Sequence, residues 1–270
     1  MIIANLSGGR DSSAMVVKWL ELGNKLDYII FCDTGFEFKE MYKYIEKLDL
    51  YLQREFNKSI TYLNKGGKEN LNDCSTILET WAFHKPITKG DKKGLKRGLP
   101  KVLGLSYCTR ESKANPTKRF VQERVKNKWL VTCLIGYTYN EVEEGRVSNL
   151  DYAITQYPLH EWGWNELEVS DFLKKRQIMN PLYNHFSRTG CFLCPKQNKS
   201  SLYALYKHYK KEWQIMKELE DTAKKLNCVN TTFKLKPLHE YEKEFELKDK
   251  QGVLFDDESY TEYDTCFCGK

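Results

Sequence analysis

Six consecutive residues near the N-terminus have the types and spacing of a phosphate-binding loop. They lie between a strand-like run and a helix-like run. Glycines let a backbone approach an anion closely, and a helix N-terminus presents free N–H groups and the positive end of the helix dipole. Serine hydroxyls add donors, and the carboxylate of Asp11 is a suitable ligand for the Mg²⁺ that accompanies phosphates. An ordinary strand-to-helix turn would not need this combination. We therefore predict that phosphates are bound by Ser7, Gly8, Gly9, Arg10, Asp11 and Ser12.

The cysteines form a second candidate site. Cys191 and Cys194 have the Cys-x-x-Cys spacing that gives two thiolates to one metal, although a redox pair or two buried thiols share it. The chain ends in Cys266-Phe-Cys268, within an acidic tail that would normally fray unless something ties it down. Thiolates suit both an iron–sulfur cluster and Zn²⁺, so the spacing leaves the metal open. The cysteines interpreted as structural are Cys32, Cys74, Cys133 and Cys228.

The elements that must position these residues alternate between strand and helix. Helices are predicted over Ser12–Leu22 and about Lys39–Phe56. Apolar strands are predicted at Ile2–Leu6, Tyr28–Cys32, Ile60–Leu63 and Trp129–Tyr137. Apolar strands separated by helices are typical of a parallel sheet covered on both faces. The sequence therefore predicts the α/β class, with a Rossmann-like parallel sheet flanked by helices.

A basic insert, His84–Lys101, separates the third and fourth predicted strands. A charge run of this kind is usually a solvated, mobile loop. The alternative is a loop that closes over phosphates or over an RNA or DNA backbone.

The C-terminal third has a different character and is predicted as a helical and irregular extension, residues 197–270, to a nucleotide-binding domain of residues 1–196. Residues 200–227 form one long helical pattern. Its apolar stripe is interpreted as core or as the seam of a homodimer, and consists of Leu202, Leu205, Tyr209, Trp213, Met216 and Leu219. The last thirty residues are acidic and read as turn-rich.

Composition limits the class of protein. Of 270 residues, 41% are hydrophobic and 30% charged, so a core is expected and global disorder is not. No apolar run approaches the roughly 20 residues of a membrane span, and the N-terminus lacks the pattern of a signal peptide. We therefore expect a cytoplasmic protein with no membrane partner and reduced thiols. The net charge of +6 suits an anionic ligand. The five histidines lack metal-binding spacing, and His185 is expected to be structural.

The Ser7–Ser12 loop resembles the pyrophosphate loop, Ser-Gly-Gly-x-Asp-Ser, of the ATP pyrophosphatase (PP-loop) superfamily. Further motifs, in matching order, resemble those of its phosphoadenosine phosphosulfate (PAPS) reductase-like branch. They are Asp33-Thr34-Gly35, Cys108 with Lys113 and Pro116, Gly136 through Glu141 to Arg146, Asn180–Tyr183, and Gly190-Cys191-Phe-Leu-Cys194-Pro195. The resemblance spans about residues 2–196 and implies an adenine nucleotide alpha hydrolase-like fold.

The resemblance also implies roles for residues. Nucleotide binding would include Asp33, Thr34, Gly35 and Gly136, although Asp33 could instead form a tight turn that caps the next helix. Catalytic roles would fall to Asp11, Lys113, Arg146 and Cys268. One metal centre would be held by Cys108, Cys191 and Cys194, either with Cys266 or Cys268 as a fourth ligand or with the fourth iron left open. Two positions depart from the family pattern, because Tyr107 replaces one cysteine of a pair and Thr138 replaces an arginine.

Superfamily members cleave ATP to AMP and pyrophosphate. The leading hypothesis is a PP-loop enzyme that adenylates a substrate oxygen and lets sulfur, from a cluster or a persulfide, displace AMP, with a nucleic acid as acceptor. Its cofactors would be ATP, Mg²⁺ and a [4Fe–4S] cluster, or alternatively Zn²⁺. A PAPS or adenosine phosphosulfate (APS) reductase is the first alternative. Such reductases carry Glu-Cys-Gly-x-His near the C-terminus, of which only Cys268-Gly269 is present here. A non-catalytic nucleotide sensor is the second alternative.

Overall fold

The computed structural model describes residues 1–63, 80–100 and 107–251. In that part of the chain, five parallel strands form one sheet in the order β3-β2-β1-β4-β5. The strands are β1 Ile2–Leu6, β2 Tyr28–Cys32, β3 Ile60–Leu63, β4 Thr132–Leu134 and β5 Ile154–Gln156. The order reverses between β1 and β4, and such a reversal opens a crevice at the carboxyl ends of the strands. The α/β class and the parallel sheet are confirmed.

Both faces of the sheet are covered, as the apolar strands predict. Ile3 packs in a cluster with Phe120 and Val121, whereas Ala4 and Leu6 pack in a larger cluster on the other face. Successive side chains of a strand point to opposite faces, so β1 contributes to both clusters. The sheet is therefore a central layer with helices on either side.

The helices are bounded as follows. Before β4 there are α1 Arg10–Glu21, α2 Lys39–Phe56, α3 Tyr107–Thr109 and α4 Asn115–Arg124. After β4 there are α5 Tyr139–Glu143, α6 Pro158–Glu161, α7 Glu166–Lys175, α8 Lys199–His208, α9 Lys210–Lys225 and α10 Leu238–Gln251. Thr80–His84 and Arg110–Ala114 are π-helical, and Lys128–Leu130 and Pro181–Asn184 are 3₁₀-helical. None of the described helices combines the length and the apolarity that a membrane span requires.

The predicted fourth strand was too long. The side chain of Asn127 accepts from the N–H of Trp129 at 3.0 Å and caps a 3₁₀ turn, which leaves Trp129 70% and Leu130 63% exposed. The strand itself starts at Thr132. The sequence pattern did not predict β5, because Ile154–Gln156 is a three-residue edge strand with no apolar run of its own.

The long C-terminal helix is in fact two helices, α8 and α9, separated at Tyr209. The backbone of Tyr209 leaves the helical region (φ −127°, ψ 60°), and its ring packs against Phe38 at 4.8 Å and Phe186 at 5.4 Å between ring centroids. The stripe predicted along this segment lies in the larger cluster, where all of its members except Leu219 are buried. Part of the tail expected to be turn-rich is helix α10, which buries Leu238 and Phe245 against that cluster.

The basic insert has a hydrogen-bonded structure in its described part. Residues 85–97, here called the basic hairpin, fold back on themselves through a hydrogen bond from the N–H of Ile87 to the oxygen of Leu95 and one from Gly94 to Ile87, both 2.8 Å. Pro86 and Lys96 form an antiparallel bridge. Lys101 and Cys74 lie outside the described residues.

Candidate functional site

The Ser7–Ser12 loop leaves the carboxyl end of β1 and opens α1, as predicted. Gly8 has a φ of +76°, a left-handed conformation that favours glycine. A Cβ atom at this position would come within 2.3 Å of the sulfur of Met41 on α2. The loop therefore needs glycine here for its turn and for its close packing on α2.

The two serines of the loop hold its ends together. The N–H of Ser7 donates to the Oγ of Ser12 at 3.1 Å, and the two hydroxyl oxygens are 3.0 Å apart. The Ser12 hydroxyl also donates to the carbonyl oxygen of Gly9 at 3.2 Å. These bonds fix the turn with the first N–H groups of α1 at its mouth, which is the arrangement that binds anions.

The Asn180–Tyr183 segment clamps the loop from the other side. The buried side chain of Asn180 donates to the carbonyl oxygen of Gly8 at 2.8 Å. The Tyr183 hydroxyl accepts from the N–H of Arg10 at 2.9 Å, and the Arg10 guanidinium lies 5.2 Å from the centre of the Tyr183 ring. Arg10 also pairs with Glu166 of α7. The sequence alone indicated a motif at Asn180–Tyr183 but no role for its residues.

Asp11 has an unusual environment. Its Oδ1 is buried and has no hydrogen-bond partner among the described residues, and the nearest cation is Nε of Arg10 at 3.7 Å. Loss of hydration raises the pKa of Asp11 to about 6, with Glu141 and Glu166 adding to the rise while Arg10 and Arg146 oppose it. A buried carboxylate oxygen without a hydrogen bond, beside the predicted phosphate-binding turn, is the donor that a hard cation such as Mg²⁺ takes.

Gly136 places the loop after β4 directly against the start of α1. A Cβ atom on Gly136 would lie 2.9 Å from both N and Cα of Ser12, so a side chain would displace backbone. Arg146 reaches the same region, pairs with Glu141 and lies 4.1 Å above the centre of the Tyr137 ring. Gly136 and the Ser7–Ser12 loop thus meet across the crevice between β1 and β4.

Thr138, which stands where the family pattern has an arginine, is the N-cap of α5. Its backbone N–H donates to Oε2 of Glu141 at 3.0 Å, as in a capping box. The position therefore serves the helix rather than supplying a cation.

The Asp33-Thr34-Gly35 segment follows β2 and forms a tight turn. Oδ1 of Asp33 accepts from the N–H of Gly35 at 2.7 Å and from the hydroxyl of Tyr42 at 2.8 Å. Thr34 donates to the buried carboxylate of Glu37 at 2.9 Å. Asp33 thus forms the tight turn of the alternative but does not cap α2, whose N-cap residue is Phe38. Nucleotide binding by Asp33, Thr34 and Gly35 stays a prediction.

Lys113 lies in the π-helical segment before α4, where loss of hydration would lower its pKa. The negative charges of Glu37 and of the ionised thiols of Cys191, Cys32 and Cys194 together outweigh that effect, so that the pKa of Lys113 is raised. In turn, burial raises the pKa of Glu37 and Lys113 opposes the rise. The carboxylate of Glu37 was missed as a site residue, although the motif that contains it was recognised.

Three of the four predicted metal ligands lie in one region. Loss of hydration raises the pKa of Cys191, and Glu37, Cys194 and Cys108 raise it further. Loss of hydration also raises the pKa of Cys194, and the negative charge of an ionised Cys108 adds to that rise. The Cys191–Cys194 turn is closed by a 3.1 Å hydrogen bond from the N–H of Cys194 to the oxygen of Cys191.

The donor set has the chemistry of a thiolate-bound metal, because thiolate sulfur is a ligand of both Zn²⁺ and iron–sulfur clusters. Among residues 1–63, 80–100 and 107–251, however, no three or more Cys, His, Asp or Glu side chains are arranged to hold an ion. Cys266 and Cys268 lie outside the described residues. The metal centre therefore stays a prediction.

Lys234, which no sequence motif indicated, binds the backbone just after the Cys191–Cys194 turn. The ammonium of Lys234 donates to the carbonyl oxygen of Pro195 at 2.7 Å and also to that of Gln197. Loss of hydration lowers the pKa of Lys234, and Cys194 opposes this shift. No sequence motif links Lys234 to residues forty positions earlier, so only the tertiary structure reveals the contact.

Comparison with known proteins places these motifs in a family context. Residues 1–197 match the family model of the phosphoadenosine phosphosulfate reductase domain. The chain is also similar to the uncharacterized protein MJ0066 of Methanocaldococcus jannaschii, at 26% identity over 235 residues. That match covers 84% of this chain and 43% of the relative, so the chain spans less than half the length of that protein.

Two solved structures align with parts of the chain. The phosphoadenylyl-sulfate reductase of Candida auris, in a phosphate complex, aligns with a TM-score of 0.47 and 12% identity, over 70% of this chain and 80% of that one. The U34-tRNA thiolase NcsA of Methanococcus maripaludis, with its [4Fe–4S] cluster, aligns with a TM-score of 0.38 and 11% identity, over 83% of this chain and 71% of that one.

Proposed function

Because the chain belongs to the phosphoadenosine phosphosulfate reductase domain family, we propose that it is a PP-loop enzyme that binds ATP at Ser7–Ser12. It cleaves ATP to AMP and pyrophosphate, adenylates an oxygen of its substrate, and allows sulfur to replace that oxygen. The acceptor is proposed to be a nucleic acid. Gly136 and the Asp33–Gly35 turn complete the proposed nucleotide site.

One observation carries the choice of ATP. Oδ1 of Asp11 is buried without a hydrogen bond, next to an anion-binding turn. Leaving a buried acceptor unpaired costs about 1–3 kcal/mol, and a bound cation would remove this penalty. A Mg²⁺ ion at this position would neutralise charge on the phosphates during cleavage of the α–β bond. Asp11 and the N–H groups at the start of α1 would bind and orient the triphosphate.

The proposed reaction has two balanced steps. In the first, a substrate oxygen attacks the α-phosphorus of ATP, the bond to the β-phosphate oxygen breaks, and pyrophosphate leaves. In the second, a hydrosulfide sulfur attacks the carbon that bears the adenylated oxygen, the carbon–oxygen bond breaks, and AMP leaves with that oxygen. If a persulfide supplies the sulfur, an external thiol then cleaves the S–S bond of the adduct and leaves as a disulfide. Lys113 and Arg146 are the cations proposed to stabilise the developing negative charge.

The thiols have a proposed role of their own. Cys108, Cys191 and Cys194 are proposed to hold one iron–sulfur cluster, or alternatively Zn²⁺, with Cys266 in the fourth position. A bound metal would keep all three thiols ionised against the loss of hydration that raises the pKa of Cys191 and Cys194. Cys268 is proposed as a catalytic thiol.

A PAPS or APS reductase is the second candidate, and the family match favours it. The distinguishing experiment supplies each nucleotide separately, with Mg²⁺, hydrosulfide, a thiol and a mixture of RNA and DNA as the acceptor, and measures products. AMP and pyrophosphate from ATP support the proposal, whereas sulfite from PAPS or APS supports the reductase. If neither set of products forms, the protein is a nucleotide sensor and both enzymatic candidates are overturned. Asp11→Asn should lose pyrophosphate release, and Asp221→Asn, an exposed residue of α9, is the matched control.

The cysteine roles are tested by metal analysis and turnover after anaerobic purification. If Cys266 is a ligand, Cys266→Ser should lower metal content as Cys191→Ala does. If Cys268 is a catalytic thiol, Cys268→Ser should retain the metal and stop sulfur transfer. A metal-free wild-type protein with full activity would refute the metal centre.

A further inference from the structure

The basic hairpin, residues 85–97, is fixed to the body of the protein at its base. The N–H of Val229 donates to the oxygen of Lys96 at 3.0 Å, and that of Asn230 donates to Arg97 at 3.1 Å. On the opposite side, the N–H of Gly98 donates to the oxygen of Ala82 at 2.9 Å. The hairpin is therefore presented in a defined position.

Its positive charge is concentrated and is not neutralised by ion pairs with the described residues. The hairpin contains six cations and one acidic residue, Asp91, in a chain whose formal net charge is +6. None of the six forms an ion pair with another residue of the described chain. Four of the cations are exposed, namely Lys85, Lys89, Lys92 and Lys93. The other two, Lys96 and Arg97, are half-buried. Like charges held this close repel one another, so a bound polyanion would relieve an existing cost.

An aromatic ring organises the cations at the base. The ammonium of Lys85 lies 4.3 Å from the centre of the Trp81 ring, and the guanidinium groups of Arg97 and Arg110 lie 5.1 Å and 5.8 Å from it. Cations at these distances are attracted to the ring without losing their charge. Trp81 thus gathers three positive groups from separate segments into one patch.

The patch is connected to the proposed site. Arg110 begins the π-helical segment that also contains Lys113. The hydroxyl of Tyr107, next to Cys108, donates to the carbonyl oxygen of Gly98 at 3.0 Å, at the end of the hairpin. A strand bound along the hairpin would therefore lead toward the segment that carries Lys113 and Cys108.

We infer that the basic hairpin, with Trp81 and Arg110, is the docking surface for the phosphodiester backbone of a nucleic acid. The inference rests on the proposed function and deepens it by assigning residues to the acceptor. A nucleic acid fits better than an acidic protein, because its charges repeat regularly along the strand and a run of closely spaced cations can contact several at once. Basic residues grouped around an aromatic ring are typical of surfaces that track a nucleic-acid strand.

The test measures binding without ATP, on the full chain, by fluorescence anisotropy of labelled RNA and DNA 20-mers of mixed sequence. The variant is Lys89→Glu/Lys92→Glu/Lys93→Glu, at the tip of the hairpin. The control, Lys43→Glu/Lys211→Glu/Lys225→Glu, makes the same change of charge at one exposed residue of α2 and two exposed residues of α9. Titrations from 50 to 200 mM KCl give the salt dependence of the dissociation constant.

The tip variant should weaken binding on the order of tenfold or more, and the slope of log affinity against log salt should fall in magnitude by about 2, since each phosphate contact on a single strand contributes about 0.7. The control should stay within about twofold of wild type. Equal weakening in both variants, or no binding by wild type at 50 mM KCl, overturns the inference. Polyglutamate that binds the hairpin as tightly as the oligonucleotides would indicate a protein partner and also overturns it.

The outcome is separable from that of the proposed function. ATP binding by the tip variant should equal that of wild type, because none of its substituted residues belongs to the nucleotide site. Hairpin-dependent oligonucleotide binding without pyrophosphate release from ATP would refute the proposed reaction and leave the surface standing. Pyrophosphate release without such binding would refute the surface alone.

Discussion

The side-chain amide of Asn180 donates a 2.8 Å hydrogen bond to the carbonyl oxygen of Gly8, between residues that are 172 positions apart in the chain. The Oδ1 atom of the same amide accepts from the N–H of Leu182 at 3.0 Å. One fully buried side chain therefore joins the Ser7–Ser12 loop to the start of the 3₁₀ helix that presents Tyr183. The geometry of the loop depends on a residue far outside it.

Replacing Asn180 by alanine should destabilise the protein and weaken ATP binding. The substitution leaves the Gly8 carbonyl oxygen and the Leu182 N–H without their partner, and an unsatisfied buried group costs about 1–3 kcal/mol. Chemical denaturation and an ATP titration measure the two effects. The control is Asn24→Ala, an exposed asparagine in the turn after α1. Wild-type ATP affinity in Asn180→Ala would show that the loop keeps its shape unaided.

The pKa of Asp11, raised by burial to about 6 from a reference value of 3.8, predicts a pH dependence of stability. A raised carboxyl pKa means that the folded state binds the proton more tightly than the unfolded state. This contribution is fully present below pH 4 and is lost as the pH rises through about 6. Asp11→Asn should therefore gain about 1–3 kcal/mol relative to wild type between pH 4 and pH 7.

Unfolding curves at pH 4, 5, 6 and 7 for wild type, Asp11→Asn and the control Asp221→Asn measure this difference. A gap between Asp11→Asn and wild type that is constant with pH would contradict the raised pKa. Pyrophosphate release should fall below about pH 6, because a protonated Asp11 is a poor ligand for Mg²⁺.

Gly136→Ala should weaken nucleotide binding more than it lowers stability. The added Cβ would lie 2.9 Å from backbone atoms of Ser12, so the start of α1 must shift. Gly190→Ala is the control, since no described atom lies within 4 Å of its added Cβ. ATP titration and thermal unfolding of both variants test this expectation, and equal ATP affinity in the two variants would contradict it.

Lys113 and Glu37 should be coupled in stability. Lys113→Met removes the positive charge that favours the ionised form of the buried Glu37 carboxylate. An uncompensated buried charge costs on the order of 3 kcal/mol. The double variant Lys113→Met/Glu37→Gln should recover part of that loss, because no charge is then left unpaired. A double-mutant cycle from urea denaturation gives the coupling free energy, and strictly additive effects would rule out the interaction.

The sequence alone determined the class of fold and the position of the loop. Short apolar runs can be stable as central parallel strands only when both faces are covered, and Ser7–Ser12 follows the first of them, so the loop had to lie at the carboxyl edge of the sheet. The order of the motifs indicated the family, which the match over residues 1–197 bears out. These conclusions rest on patterns that are local in the chain.

The tertiary structure decided the rest, because long-range contacts leave little trace in a local pattern. Trp129 and Leu130 look like strand residues, yet one hydrogen bond from Asn127 places them in an exposed turn. Tyr209 looks like part of a continuous helix, yet packing against Phe38 ends the helix there. The same holds at the site, where Asn180 closes the loop from 172 residues away and Oδ1 of Asp11 is buried without a hydrogen bond from any described residue. The free energy of these contacts depends on which surfaces meet in the folded chain, and a linear sequence does not specify that by spacing alone.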